Sequence, residues 1–100
     1  MAKLKITDRA GRDLERVTDF LLETNVSAAV ETTDLIVDAL SILKRHPLIG
    51  RSIEYGFREL IVSRGRSGYV ALYKYDETND LVLVLAIRHQ RESGYWSQIY

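Results

Sequence analysis

The hydrophobic period of this chain changes from 3.6 residues to 2 near Gly56. A chain written that way follows its helices with strands, and both must share one core. Upstream, Ala10, Leu14, Val17 and Leu21 recur at helical spacing, and Phe20 and Leu22 widen the apolar stripe. Thr7 and Asp8 are N-cap residue types, and this first helix is expected to end between Glu23 and Asn25. Ser27 is the expected N-cap of a second helix. There Ala29, Thr33, Ile36, Leu40 and Leu43 continue the spacing, with Val30 and Val37 alongside. Lys44, Arg45 and His46 suit the negative end of that helix dipole, and Pro47 stops it because the residue before proline avoids the α region. A short link between two helices makes them antiparallel neighbours, a helical hairpin.

Ahead of the hairpin, Ala2 to Ile6 alternates and predicts a short strand, expected at a sheet edge. Behind it, His46 to Gly56 holds the only proline and reads as a loop or irregular extended segment. Three strands follow, over Phe57–Arg64, Tyr69–Tyr75 and Leu81–Ile87. They are separated by Gly65-Arg66-Ser67-Gly68, which has the glycine content of a hairpin turn, and by the polar run Asp76–Asp80. Leu81 to Ile87 is apolar at every position, which predicts a strand covered on both faces. The tail from Gln90 to Tyr100 is polar and aromatic and reads as a short helix or ordered coil. The expected architecture is α+β in the order β-α-α-β-β-β, a helical hairpin packed on an antiparallel sheet, as one domain over residues 1–100.

Composition narrows the function classes. The chain has 100 residues, 46% hydrophobic and 28% charged, and no cysteine. Disulfide, thiolate-metal and thiol chemistry are therefore excluded, and a reducing cytoplasm is the expected setting. The start shows no signal-peptide pattern, and the run Leu81–Ile87 is too short to span a bilayer. No membrane partner is expected. Net charge is zero but unevenly placed, with eight acids and three bases from Asp8 to Asp38, and six bases and two acids from Lys44 to Arg66. Neutrality argues against a general nucleic-acid binder, while the local arginines permit a phosphate or acidic-peptide site.

The strands and tail carry a recognisable series. It runs Arg58-Glu59-Leu60-Ile61-Val62, then Ser67-Gly68-Tyr69-Val70-Ala71-Leu72-Tyr73, then Leu83 through Tyr95 with Arg88-His89-Gln90-Arg91-Glu92 inside it. With Leu43-Lys44-Arg45-His46-Pro47 and Gly50-Arg51 upstream, it resembles the RelE/ParE toxin superfamily over nearly the whole chain. The resemblance implies a stable toxin neutralised by a labile cognate antitoxin whose C-terminal segment wraps the toxin. It also implies one of two activities. RelE-like members cut mRNA in the ribosomal A site, and ParE-like members poison DNA gyrase.

Metal-free RNA cleavage needs a base for the 2′-hydroxyl, cations for the phosphorane-like charge and an acid for the leaving oxygen. The candidates are His89, Arg91, Glu92 and Tyr95, with Arg58, Arg64 and Arg66 as phosphate holders. Each has a plainer structural role open to it. His89 can close a sheet edge, Arg91 and Glu92 can pair on the surface, and Tyr95 and Trp96 can pack the tail. RelE-like nucleases commonly carry an arginine directly after the Gly-Tyr pair, where this chain has Val70, and their preceding-strand lysines have no match between Phe57 and Arg64. This favours the ParE-like branch, a gyrase inhibitor rather than an enzyme. The nuclease and a non-toxic co-repressor module are the alternatives. Arg51, Arg58, Arg64, Arg66, Arg88 and Trp96 are the candidate residues for a target or antitoxin interface. No cofactor is expected. His46 and His89 match no metal-ligand spacing, and Gly65–Gly68 lacks the phosphate-loop lysine.

Overall fold

The computed structural model describes residues 1–64 and 67–90, with the backbone alone for 63, 64 and 67. Strand β1 (Lys3–Ile6) leads into helices α1 (Asp8–Leu22) and α2 (Val26–Ile42). Then come β2 (Arg51–Ser52), a 3-10 turn at Glu54–Gly56, β3 (Arg58–Arg64), β4 (Ser67–Asp76) and β5 (Leu81–His89). The strands form one sheet in the order β1-β5-β4-β3-β2. The expected α+β arrangement, with β1 at an edge, is what the chain adopts.

Two features of the sheet differ from expectation. The sheet is not antiparallel throughout, because β1 runs parallel to β5. The hairpin carries the chain across the sheet, and a crossover of that kind is what lets strands run parallel. The second difference is β2, which pairs Arg51 with Glu59 and Ser52 with Arg58 inside the segment read as loop. Two residues are too few to show a period.

Helix α1 starts where Thr7 accepts from the Ala10 N–H, and the Thr7 hydroxyl donates to the Val84 carbonyl at 2.8 Å. One side chain thereby caps the helix and ties it to β5. Helix α2 is capped by Asn25, which accepts from the Ala28 N–H at 3.1 Å, and not by Ser27. Asn25 is already extended and has the required side-chain oxygen, so the helix begins two residues earlier.

The hairpin buries Ala10, Val17, Ile36, Leu40 and Leu43 against Val62, Tyr69, Ala71, Tyr73, Val82, Val84 and Ile87. Phe20, Leu22, Val30 and Val37 are exposed instead. They lie off the Ala10–Val17 and Ala29–Leu40 lines, and the sheet covers only the helix flank along those lines. On β5, Val82 and Val84 are fully buried while Leu81, Leu83 and Leu85 are half-buried. The expectation that both faces are closed therefore holds fully on the helix side and in part on the other, where Ala86 is buried. Among the described residues, Ile53, Phe57 and Leu85 pack around Val70, Leu72 and Ala86 there. The β4–β5 register shifts at Leu72/Tyr73, and adjacent Ala86 and Ile87 are both buried. That is the signature of a bulge, which turns Ile87 to the helix side and Ala86 to the open side.

Candidate functional site

The second face of the sheet lies opposite the hairpin and is called open because none of the described helices covers it, although Val70, Leu72, Ala86 and Glu59 on it are buried. Cross-strand partners share a face. Val70 pairs with Arg88, and Leu72 with both Glu59 and Ala86, so these residues share the open face. Tyr69 pairs with His89 and belongs to the helix-side core, so His89 lies on the helix side. The His89 ring meets Tyr69 edge to face, 5.2 Å between centroids, a favourable aromatic geometry.

Glu59 organises the open face. It is buried, and its carboxylate accepts from Arg51 Nη2 at 2.6 Å and lies 3.9 Å from Arg88 Nη2. The Arg51 side chain remains largely in solvent, whereas Arg88 is mostly covered. A buried carboxylate needs such partners, since an unpaired charge there is costly. Arg88 also donates to its own neighbours, the carbonyls of His89 and Gln90. Arg51 and Arg88 are thus brought together on one acid. Sequence reasoning missed Glu59. Strand alternation from Ile61, which places Glu59 on the face away from Leu60 and Val62, was the signal available.

Arg58 lies elsewhere. Its Nη1 donates to the carbonyls of Leu48 at 3.1 Å and Gly50 at 2.8 Å, pinning the segment before β2. That segment is fixed a second time by Tyr73, whose hydroxyl accepts from the Gly50 N–H at 2.8 Å. Burial raises the Tyr73 pKa above its ordinary value, against smaller lowering contributions from the Gly50 hydrogen bond and the Arg58 charge. The chain passes so close that a Cβ on Gly50 would lie 2.6 Å from the Tyr73 ring and 2.8 Å from the Glu59 carbonyl. Nearby, His46, Pro47, Leu48, Ile49 and Tyr75 line an open apolar hollow of about 560 Å³.

The structure therefore separates residues that the sequence left together. Arg88 and His89 are successive on β5 and face opposite sides. Arg58 holds loop carbonyls on the helix side, away from Arg88. The Arg64 side chain and Arg66, Arg91, Glu92, Tyr95 and Trp96 lie outside the described residues. Among the described residues no group of three acids or histidines could hold a metal, and no helix is long and apolar enough to cross a membrane.

Residues 4–94 match the family model described as ParE toxin of type II toxin–antitoxin system, parDE. The chain belongs to the ParE toxin family. This family member is 37% identical over 92 residues to Toxin RelE3 of Caulobacter vibrioides, covering 92% of this chain and 98% of that one. It is 35% identical over 69 residues to Toxin RelE1 of the same organism, covering 69% and 74%. A chain of a chromosomal ParDE system from P. aeruginosa superposes with a TM-score of 0.72 at 24% identity, over 89% of this toxin and 96% of that chain. The isolated E. coli RelE toxin superposes at 0.57 with 14% identity, over 99% and 95%. These two structures share its fold. The expected membership of the RelE/ParE superfamily is borne out, and the chain is the toxin component of a type II toxin–antitoxin system.

Proposed function

We propose that this toxin arrests growth by poisoning DNA gyrase and is held inactive by a cognate antitoxin. The reading rests on the opposite facing of Arg88 and His89. Ribonuclease chemistry needs a proton-transfer group and a cationic clamp converging on one phosphate. Here the imidazole meets Tyr69 edge to face on the helix side, while the Arg88 guanidinium lies beside Glu59 on the open face with Val70 as its cross-strand neighbour. A buried carboxylate next to the guanidinium offsets the charge a phosphate would require. The open face instead combines a small apolar cluster with an Arg51–Glu59–Arg88 network in which one carboxylate partly neutralises two guanidinium groups, which suits a protein partner better than an RNA backbone. The antitoxin partner is supported by the ParDE system in which the similar P. aeruginosa chain occurs.

The names of the Caulobacter relatives favour a second reading, ribosome-dependent cleavage of mRNA. Inducing the chain without antitoxin, while following DNA, RNA and protein synthesis separately, decides between them. The expected result is an early stop in DNA synthesis with trapped gyrase–DNA complexes. An immediate stop in translation with cut mRNA overturns the gyrase reading. Unimpaired growth would leave the co-repressor module.

A further inference from the structure

Tyr55 sits in a backbone conformation that tyrosine disfavours. Its φ and ψ are 61° and 26°, inside the turn Glu54–Gly56, and Gly56 follows at φ 79°. The left-handed region suits glycine and, next, asparagine or aspartate, and it crowds the Cβ of a bulky residue. Burial of the ring would offset that strain, but Tyr55 is 82% exposed. Among the described large apolar residues only Met1 is more open. The side chain that strains the turn therefore contributes little core packing.

The turn itself is firmly built. The Ile53 N–H donates to the Phe57 carbonyl at 2.9 Å, and the Phe57 N–H donates to the Glu54 carbonyl at 3.2 Å. Just outside it, β2 and β3 pair Ser52 with Arg58. Ile53 and Phe57 pack on the cluster of Val70, Leu72 and Ala86, and Lys74 Nζ lies 5.2 Å from the Phe57 ring centroid. Tyr55 thus stands at the tip of a turn whose two feet are anchored on the open sheet face.

A strained residue that the fold holds but does not use points to a function outside the chain. Tyrosine gives a large, rigid contact area with only two side-chain torsions to order. A backbone that is already fixed adds little further ordering cost on binding. Tyrosines that fill a pocket rank among the residues carrying most of the energy of a protein interface. The charges beside the tip select protein over nucleic acid. A ring that stacks on single-stranded nucleic acid needs a positive groove along the backbone. Here Glu54 is exposed next to Tyr55, and Asp76, Glu77 and Asp80 follow Lys74 at the β4–β5 turn.

We infer that Tyr55 is the anchor by which this toxin grips its protein target, with the ring seated in an apolar pocket of that protein. The contact adjoins the face that carries Arg51, Glu59 and Arg88. The inference rests on the gyrase reading and deepens it, by naming the residue that holds the target.

The test uses the full chain, refolded after separation from its antitoxin, with DNA gyrase holoenzyme as the probe. Tyr55→Gly and Tyr55→Asn relieve the backbone, and Tyr55→Phe keeps the ring. The Gly and Asn variants are expected to keep or raise the urea midpoint, yet to bind gyrase about tenfold or more weaker and to lose growth arrest on induction without antitoxin. The Phe variant should bind within about threefold of wild type. A Gly variant that binds gyrase and arrests growth as the wild type does overturns the inference and leaves the gyrase reading standing. A Gly variant with a lowered urea midpoint also overturns it, because Tyr55 would then be structural. So does a wild-type toxin that binds a single-stranded oligonucleotide without gyrase and loses that binding in the Gly variant, since a base would then be what the ring holds. A wild-type toxin that ignores gyrase and cuts mRNA removes the gyrase reading and this inference together.

Discussion

The backbone N–H of Ile87 donates to Asp13 Oδ2 at 2.9 Å, across 74 positions of sequence. Strand β1 pairs with β5 only as far as Ile6 and Val84, and the Thr7 N–H donates to the Val84 carbonyl. Beyond that point no strand among the described residues lies beside the outer edge of β5, and α1 supplies the acceptor. Asp13→Ala is expected to leave that buried donor unsatisfied, at about 2–3 kcal/mol. Asp13→Asn keeps an acceptor and should lose about 1 kcal/mol. Urea titrations with an unchanged slope check this. Equal stability of the Ala variant and wild type would show that water satisfies Ile87. Arg9 and Arg16 sit near Asp13 at 3.9 and 4.0 Å, and such partly exposed pairs add little.

Gly50 and Tyr73 form the second long-range tie. Gly50→Ala must displace either the Tyr73 ring or the Glu59 backbone, and strain of that kind costs about 1–3 kcal/mol. Tyr73→Phe keeps the packing and orphans the Gly50 N–H, for about 1–3 kcal/mol. Because the same loop positions Arg51, hydrogen exchange at Gly50 should rise in Tyr73→Phe before global unfolding. Protection identical to wild type would mean that Arg58 alone holds the segment.

Tyr73 also sets an alkaline limit. Burial raises its folded pKa above 10.0. The unfolded chain therefore loses its phenolic proton first, and stability is complete below pH 10 and falls as pH rises from there through the folded value. Tyr75 is raised in the same direction by its hydrogen bond to Asp80, so Tyr73→Phe should make the decline above pH 10 shallower without removing it. Urea midpoints from pH 8 to 11, with tyrosinate absorbance followed in parallel, measure both. A wild-type slope as shallow as that of the Phe variant would refute the assignment.

Much of this fold was legible because period and punctuation agree: Thr7 and the 3.6-to-2 switch each mark a real boundary, whereas α2 ends at Ile42, ahead of Lys44, Arg45, His46 and Pro47. What could not be read were long-range decisions. Asp13 looks like one more helix acid, and only the early end of β1 gives it a buried donor. Asn25 outcompetes Ser27 through an extended backbone that the sequence does not display. The bulge at Ala86–Ile87 was invisible in a run apolar at every position. At the site, Arg88 and His89 were legible as residue types. Their opposite orientation depends on strand register, and the part of Glu59 depends on what lies across the sheet from it.

The Arg88–His89 separation gives the prediction closest to function. His89→Ala removes one ring contact with Tyr69, of about 0.5–1.5 kcal/mol, and should leave growth arrest intact when the antitoxin is withheld. Arg88→Ala removes the covered partner of Glu59 from the open face and should reduce arrest strongly, with a stability loss of about 1–3 kcal/mol because Arg51 still accompanies the acid. Glu59→Gln provides the control. It retains the shape and a hydrogen-bond acceptor but removes the charge, freeing both arginines. On a protein-binding face it should weaken arrest. On a phosphate-binding face the released guanidinium should strengthen it. Arrest lost in His89→Ala, and enhanced in Glu59→Gln with cut mRNA, would put the chemistry on RNA and overturn the gyrase reading.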